Sequence, residues 1–128
     1  MEILSSFQRK KIDETRDDFF YSTPKFVYHL DANFRRSLTQ LYRKEIKNNC
    51  SVLDLMSSWD SYLPKEINYS KIVGHGLNRE ELEKNNAFES YWIQNFNLNQ
   101  KIPLENKSFD YCLMVAAWQY LQYPEKIC

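Results

Sequence analysis

Asp54 is the one charged residue in the run V-L-D-L-M (Val52 to Met56), and the small hydroxyl residues Ser57 and Ser58 follow almost at once. An apolar run ending in an acid and then in small polar residues reads as the first strand and ligand-facing turn of a nucleotide-binding α/β fold. The turn, V-L-D-L-M-S-S-W-D-S, contains no glycine, so every position that lets a ligand approach the backbone carries a side chain. The chain's two glycines, Gly74 and Gly76, flank His75 at the end of a second apolar run. In a chain this short of glycine, that placement predicts a close backbone approach, by a ligand or by tight packing. Each residue also has a structural reading. Asp54 can cap its turn, Ser57 and Ser58 can be plain turn residues, and His75 can be a loop histidine. Asn78 and Glu81 can be helix caps, with a ribose contact as the alternative, and Trp59 and Trp118 can be core aromatics.

These residues need elements to hold them. T-P-K-F-V-Y-H-L predicts a short helical turn with Thr23 as cap and Pro24 in the first helical position. Asp31 or Asn33 then caps an amphipathic helix. Its apolar face is read as Phe34, Leu38, Leu41 and Ile46, its wet face as Arg35, Arg36, Arg43 and Lys44, and its end lies near Asn48 and Asn49. Val52 to Met56 reads as a buried parallel strand and Lys71 to Gly74 as a second. L-N-R-E-E-L carries a capping box, with Asn78 as cap, Glu81 three residues on, and a Leu77–Leu82 staple. That helix starts at Arg79 and runs to about Asn85. Tyr91 to Phe96 reads as a third strand and Phe109 to Ala116 as a fourth. Strands alternating with helices, with few hairpin signals, predict an α/β fold with a parallel sheet covered by flanking helices. No linker or repeat divides the chain, which reads as one domain: an N-terminal arm over residues 1–30 and an α/β core over residues 31–128.

Composition narrows the functional classes. With 128 residues, 43% hydrophobic and 16% aromatic, the chain can bury a modest core. Seventeen basic residues against seventeen acidic ones give no net charge and no basic stripe, which disfavours nucleic acid as a partner. No apolar run approaches a membrane span and the N-terminus has no signal-peptide order, so the default compartment is cytoplasmic. Cys50, Cys112 and Cys128 are widely spaced and the only histidines are His29 and His75, a pattern that fits neither a disulfide framework nor a metal site.

Val52 to Asp60, Ile72 to Leu82, Ile93 to Asn97 and the block I-P-L-E-N-K-S-F-D-Y-C-L-M-V-A-A-W-Q-Y-L occur in order and at familiar intervals. Together they resemble the motifs of class I S-adenosylmethionine-dependent methyltransferases, and more narrowly the type 11 group, over about residues 45 to 126. Pro103 to Leu121 is the most specific part. The resemblance implies that S-adenosylmethionine binds through Asp54, Ser57, Ser58, Gly74, Gly76, Asn78 and Asn95. It puts Asp54 near the methionine part of the cofactor. Met56, Ser58 and Asp60 stand where three glycines are usual. Gly76 stands where an acid usually grips the ribose hydroxyls, and Asn95 where an Asp meets the adenine amino group. The carbonyl of Asn95 can still accept that hydrogen bond, whereas Asp60 adds negative charge near the expected cofactor carboxylate.

The activity so implied is methyl transfer to a small-molecule acceptor, with no dedicated catalytic acid or base, since the sulfonium is already activated. Phe19 to Tyr28 is the candidate acceptor arm, with Tyr21 and Tyr28 able to line a pocket. The family fold continues beyond four strands, so the chain corresponds to its N-terminal, cofactor-binding half. An incomplete sheet would leave an edge near Val115 and Trp118 and favour self-association. The glycine-free first turn supports a different class, a degenerate, non-catalytic module acting as a protein-binding scaffold. A nicotinamide-dependent oxidoreductase predicts G-x-G-x-x-G after a strand, and the chain has none.

Overall fold

The computed structural model describes residues 4–9, 26, 28 and 30–128; Thr23, Pro24 and Tyr21 lie outside them. Helix α1 spans Ala32–Glu45 and begins at Asp31, whose Oδ1 accepts the Phe34 N–H at 2.7 Å. Arg43 and Lys44 in its last turn complement the carbonyl end of the helix dipole. Its inward stripe is Leu38, Tyr42 and Ile46, flanked by the half-buried Arg35 and Thr39. Phe34 and Leu41, expected on that face, are 49% and 51% exposed. The stripe is rotated because Tyr42 buries its ring with Ile46 against the sheet, and the 3.6-residue period then carries Phe34 and Leu41 outward.

The sheet has four strands, β1 (Cys50–Asp54), β2 (Tyr69–Gly76), β3 (Ser90–Ile93) and β4 (Tyr111–Leu113), all parallel and ordered β3-β2-β1-β4. Val52 lies opposite Ile72 and Tyr111, and Asp54 opposite Gly74 and Leu113. A central parallel strand is covered on both faces, hence the near-continuous apolar run of β1. Val52 and Ile72 pack with Tyr42 and Ile46 of α1 on one face, and Leu53 and Leu55 pack with Phe96, Leu121 and Ile127 on the other. Complete burial of a side chain such as Val52 contributes roughly 1.5–3 kcal/mol.

Between β2 and β3 lies α2 (Arg79–Lys84), capped by Asn78, whose Oδ1 accepts the Glu81 N–H at 3.1 Å. α3 (Pro124–Ile127) closes the described chain, with Pro124 in its first turn. Arg9 clasps this end, donating to the Gln122 carbonyl at 2.6 Å and to Glu125 Oε1 at 2.5 Å. All four strands end elsewhere than expected: β2 runs on from Gly74 to Gly76, β3 stops at Ile93 rather than Phe96, β1 stops at Asp54 and β4 at Leu113. Beyond the ends of β1 and β4, Met56 and Ala116 adopt φ of 53° and break the extended run. Of the two residues expected at an exposed edge, Trp118 is 47% exposed, which also removes it from the core, whereas Val115 is half-buried against the Val52 cluster. Among the described residues no helix is long and apolar enough to cross a membrane.

The strand order sends the chain from β1 to one side through β2 and β3, then back across to β4. The reversal falls between β1 and β4, and in open parallel sheets the crevice outside the strand ends at such a point is where ligands bind.

Candidate functional site

The loop leaving β1 is held from both sides. Leu55 N–H donates to the Leu113 carbonyl at 2.9 Å and Ser57 N–H to the His75 carbonyl at 2.7 Å. Between them, Met56 N–H donates to Nδ1 of His75 at 3.0 Å. A ring nitrogen that accepts an N–H carries no proton, so the proton of His75 sits on Nε2, which donates to the Gln94 carbonyl at 2.7 Å. The imidazole stacks on Phe96 at 3.9 Å between centroids and is 1% exposed. Burial pulls its pKa down to about 4, only partly opposed by the bond to Gln94. His75 is therefore a neutral strut tying the end of β2 to the loops after β1 and β3.

Above this strut opens a cleft of about 390 Å³, within the range of small-molecule sites. Asp54, Ser57, Ser58, Gly76, Asn78 and Asn95 all stand on its wall, together with Met56, Asp60, Glu81, Ala116 and Tyr120. Gly74 does not. A Cβ there would lie 2.2 Å from the ring of Phe88, so its missing side chain serves packing rather than a ligand. Gly76 is on the wall, but a Cβ would meet the Ser57 carbonyl oxygen at 2.7 Å. Neither glycine has positive φ. The close approach expected at G-H-G is thus made by the protein's own β1 loop and by Phe88.

Strain collects at the cleft. Met56, Tyr62 and Ala116 line it with φ of 53°, 58° and 53°, and they are three of the five described non-glycine residues in the left-handed region. Each costs on the order of 1–2 kcal/mol and persists only where surrounding contacts enforce it. At Met56 these are the His75 bonds just described. At Tyr62 they are the Asp60 Oδ1, which accepts the Tyr62 N–H at 2.9 Å, and the Thr39 hydroxyl, which donates to the Tyr62 carbonyl at 2.7 Å.

Charge on the wall is one-sided: three carboxyl groups, Asp54, Asp60 and Glu81, with no lysine or arginine among the lining residues. Asp54 is 5% exposed, and burial pushes its carboxyl up to about 6. The charge of Asp60 adds to the rise, while hydrogen bonds from Ser61 and Ser57 oppose it, the Ser57 hydroxyl donating at 2.7 Å. A buried carboxyl titrating near neutrality in a cleft marks a candidate functional group. Glu81 Oε1 accepts the Ser58 hydroxyl at 2.5 Å. Asn95 Oδ1 accepts the Asn97 N–H at 2.9 Å, which uses one of its two lone pairs.

Several parts were not evident in the sequence. The buried Asn85 donates to the Ser58 carbonyl and to the Ser61 hydroxyl, both at 2.9 Å, which pins the β1 loop to the end of α2. Tyr28 packs on Trp59 at 4.7 Å and faces Tyr62 at 6.3 Å, so the described part of the N-terminal arm reaches the rim of the cleft. The Arg35 guanidinium covers the Tyr28 ring at 3.6 Å.

His75 is committed on both nitrogens, and the wall presents the Ser57–Asp54 and Ser58–Glu81 hydroxyl–carboxylate pairs, the Asn95 side chain and apolar surface. Among the described residues no group of three or more His, Cys, Asp and Glu side chains is arranged to hold a metal ion. Searches against family models, curated proteins and solved structures found no match for this chain in any of the three.

Proposed function

We propose that the chain is a Rossmann-like, S-adenosylmethionine-binding unit of the class I methyltransferase type, and that the cleft at the strand ends receives the cofactor. One observation carries the reading. Asp54, Gly76 and Asn95, three positions singled out by the resemblance and about twenty residues apart in sequence, stand on the wall of one 390 Å³ cleft at the switch point of the sheet. The order β3-β2-β1-β4 is that of the first four strands of the doubly wound fold.

The donor set suits this ligand. Three carboxyls, with no lysine or arginine among the described residues that line the cleft, favour a sulfonium and an ammonium and disfavour phosphate-bearing cofactors. The bound cofactor supplies an activated methyl group, so the chain's own residues need only bind, orient and exclude water. Asp54 and Ser57 hold the end near β1, and Asn95 accepts from the base. A small-molecule acceptor enters past Tyr62 and the Tyr28–Trp59 pair.

A second reading, a non-catalytic scaffold, is favoured by one specific observation. The side of Gly76 that a Cβ would occupy is filled by the Ser57 carbonyl, so the missing side chain serves the protein's own packing. Calorimetric titration with S-adenosylmethionine and with its demethylated product separates the two. Saturable heat below millimolar ligand supports the methyltransferase reading; no heat at millimolar ligand sinks it and leaves the scaffold.

A further inference from the structure

Arg35, the fourth residue of α1, is half-buried, and its guanidinium lies over the ring of Tyr28 at 3.6 Å. Tyr28 packs on Trp59 and faces Tyr62, a residue of the cleft wall, so the guanidinium stands at the mouth of the cleft. Burial and the charge of Asp60 push the Tyr62 phenol up and Arg35 opposes them, which puts its charge within reach of that wall. Its Nε donates to the Asp31 carbonyl at 3.4 Å, and its terminal N–H groups have no hydrogen-bond partner among the described residues. The acids on either side do not neutralise it. Asp31 accepts the Phe34 N–H and Asp60 the Tyr62 N–H, and neither forms an ion pair with Arg35.

A guanidinium held over an aromatic face presents a planar fork of donors, the geometry that takes a carboxylate through two parallel hydrogen bonds. Inside the cleft the charge has the opposite sign, since Asp54, Asp60 and Glu81 line it. A ligand with a carboxylate at one end is attracted at the mouth and repelled from the interior, which fixes the direction in which it enters. Phe26 and Tyr28, each 45% exposed, give the mouth an aromatic rim suited to an apolar or aromatic body.

We propose that Arg35 binds the carboxylate of the methyl acceptor, so that the acceptor is a small carboxylic acid whose uncharged end points into the cleft. The acceptor role rests on the adenosyl reading, whereas the carboxylate site rests on the mouth alone.

The test titrates benzoate and its neutral counterpart benzamide by calorimetry into the wild-type chain and into Arg35→Gln, with S-adenosylhomocysteine titrated separately into both. The wild type is expected to bind benzoate about tenfold more tightly than benzamide, the yield of a charge-assisted pair. Arg35→Gln is expected to bind the two equally and to bind S-adenosylhomocysteine as the wild type does. A wild type that binds benzoate no better than benzamide, or binds neither, overturns the assignment without any variant having to fold. So does an Arg35→Gln chain that keeps the preference, and in these cases heat from S-adenosylhomocysteine leaves the adenosyl reading standing. Benzoate bound through Arg35 with no heat from S-adenosylhomocysteine upholds the carboxylate site and overturns its role as the acceptor end.

Discussion

The imidazole of His75 accepts the backbone N–H of Met56 at 3.0 Å, and through that bond the end of β2 sets the conformation of the turn after β1. Met56 sits at φ 53°, where glycine is the usual residue, and the His75 ring helps hold it there. His75→Ala removes a ring stacked on Phe96 and leaves the Met56 N–H and the Gln94 carbonyl without that partner. The expected loss is about 3–5 kcal/mol in urea unfolding, combining the cavity with the unpaired groups. A loss below about 1 kcal/mol would contradict the strut.

Asp54 and His75 give opposite pH dependences over the same window. The folded pKa of His75, about 4, lies below its unfolded value near 6.5, so the unfolded chain binds more protons between the two. Stability then rises with pH from 4 to 6.5, by about 3 kcal/mol for this group. Asp54, at about 6 when folded and about 3.9 when unfolded, binds more protons in the folded state. Its contribution falls as pH rises from about 4 to 6, by a similar amount. The wild type should therefore be flatter across this range than Asp54→Asn, which retains only the rising slope of His75. Denaturant midpoints of the two proteins at acid and neutral pH check this, and parallel profiles would contradict it.

At pH 7.5 the same substitution is expected to stabilise the fold by about 2 kcal/mol, because it removes a charge whose burial is unfavourable. It should also weaken S-adenosylmethionine binding. A more stable protein that binds less well is the signature of a residue kept for its ligand. If Asp54→Asn is both less stable and unchanged in binding, Asp54 is a turn cap and nothing more.

The two glycines should fail in different ways. Gly74→Ala collides with the Phe88 ring and Gly76→Ala with the Ser57 carbonyl, each costing about 1–3 kcal/mol. Trimming Phe88 to Ala should recover part of the Gly74→Ala loss, a coupling readable in a double-mutant cycle. No side-chain change can relieve Gly76→Ala, since its neighbour is backbone. Additive behaviour of Gly74→Ala and Phe88→Ala would contradict the contact.

Ala116 is exposed and holds φ at 53° where β4 ends. Ala116→Gly should stabilise by about 0.5–1 kcal/mol, because relief of left-handed strain outweighs the added freedom of the unfolded chain. The adjacent buried Ala117→Gly should destabilise, and thermal melts of the pair distinguish a local strain effect from a general one.

The parts of this molecule that depend on neighbours in sequence were legible there. Asp31 and Asn78 cap their helices because a short polar side chain reaches an N–H three residues on, a relation visible in the spacing. The parallel sheet follows from apolar runs separated by helices. What depends on distant partners was not legible. Gly74 and Gly76 look alike in G-H-G, yet one faces Phe88 and the other Ser57. The ends of β1 and β4 were set too late because Met56 and Ala116 carry no mark of a left-handed turn in their side chains. Asp54 was identifiable by its place in an apolar run, whereas Asn85, Ser61 and Glu81 gained their roles only when the β1 loop folded onto α2.

The most direct measurement is an amide NMR titration of the isotope-labelled chain with S-adenosylmethionine. Saturable shifts clustered at Ser57, Gly76, Asn95 and Ala116, which surround the cleft, are the predicted result. Spectra unchanged up to millimolar ligand, or shifts confined to the separate hollow lined by Leu104, Phe109 and Ile127, would contradict the account.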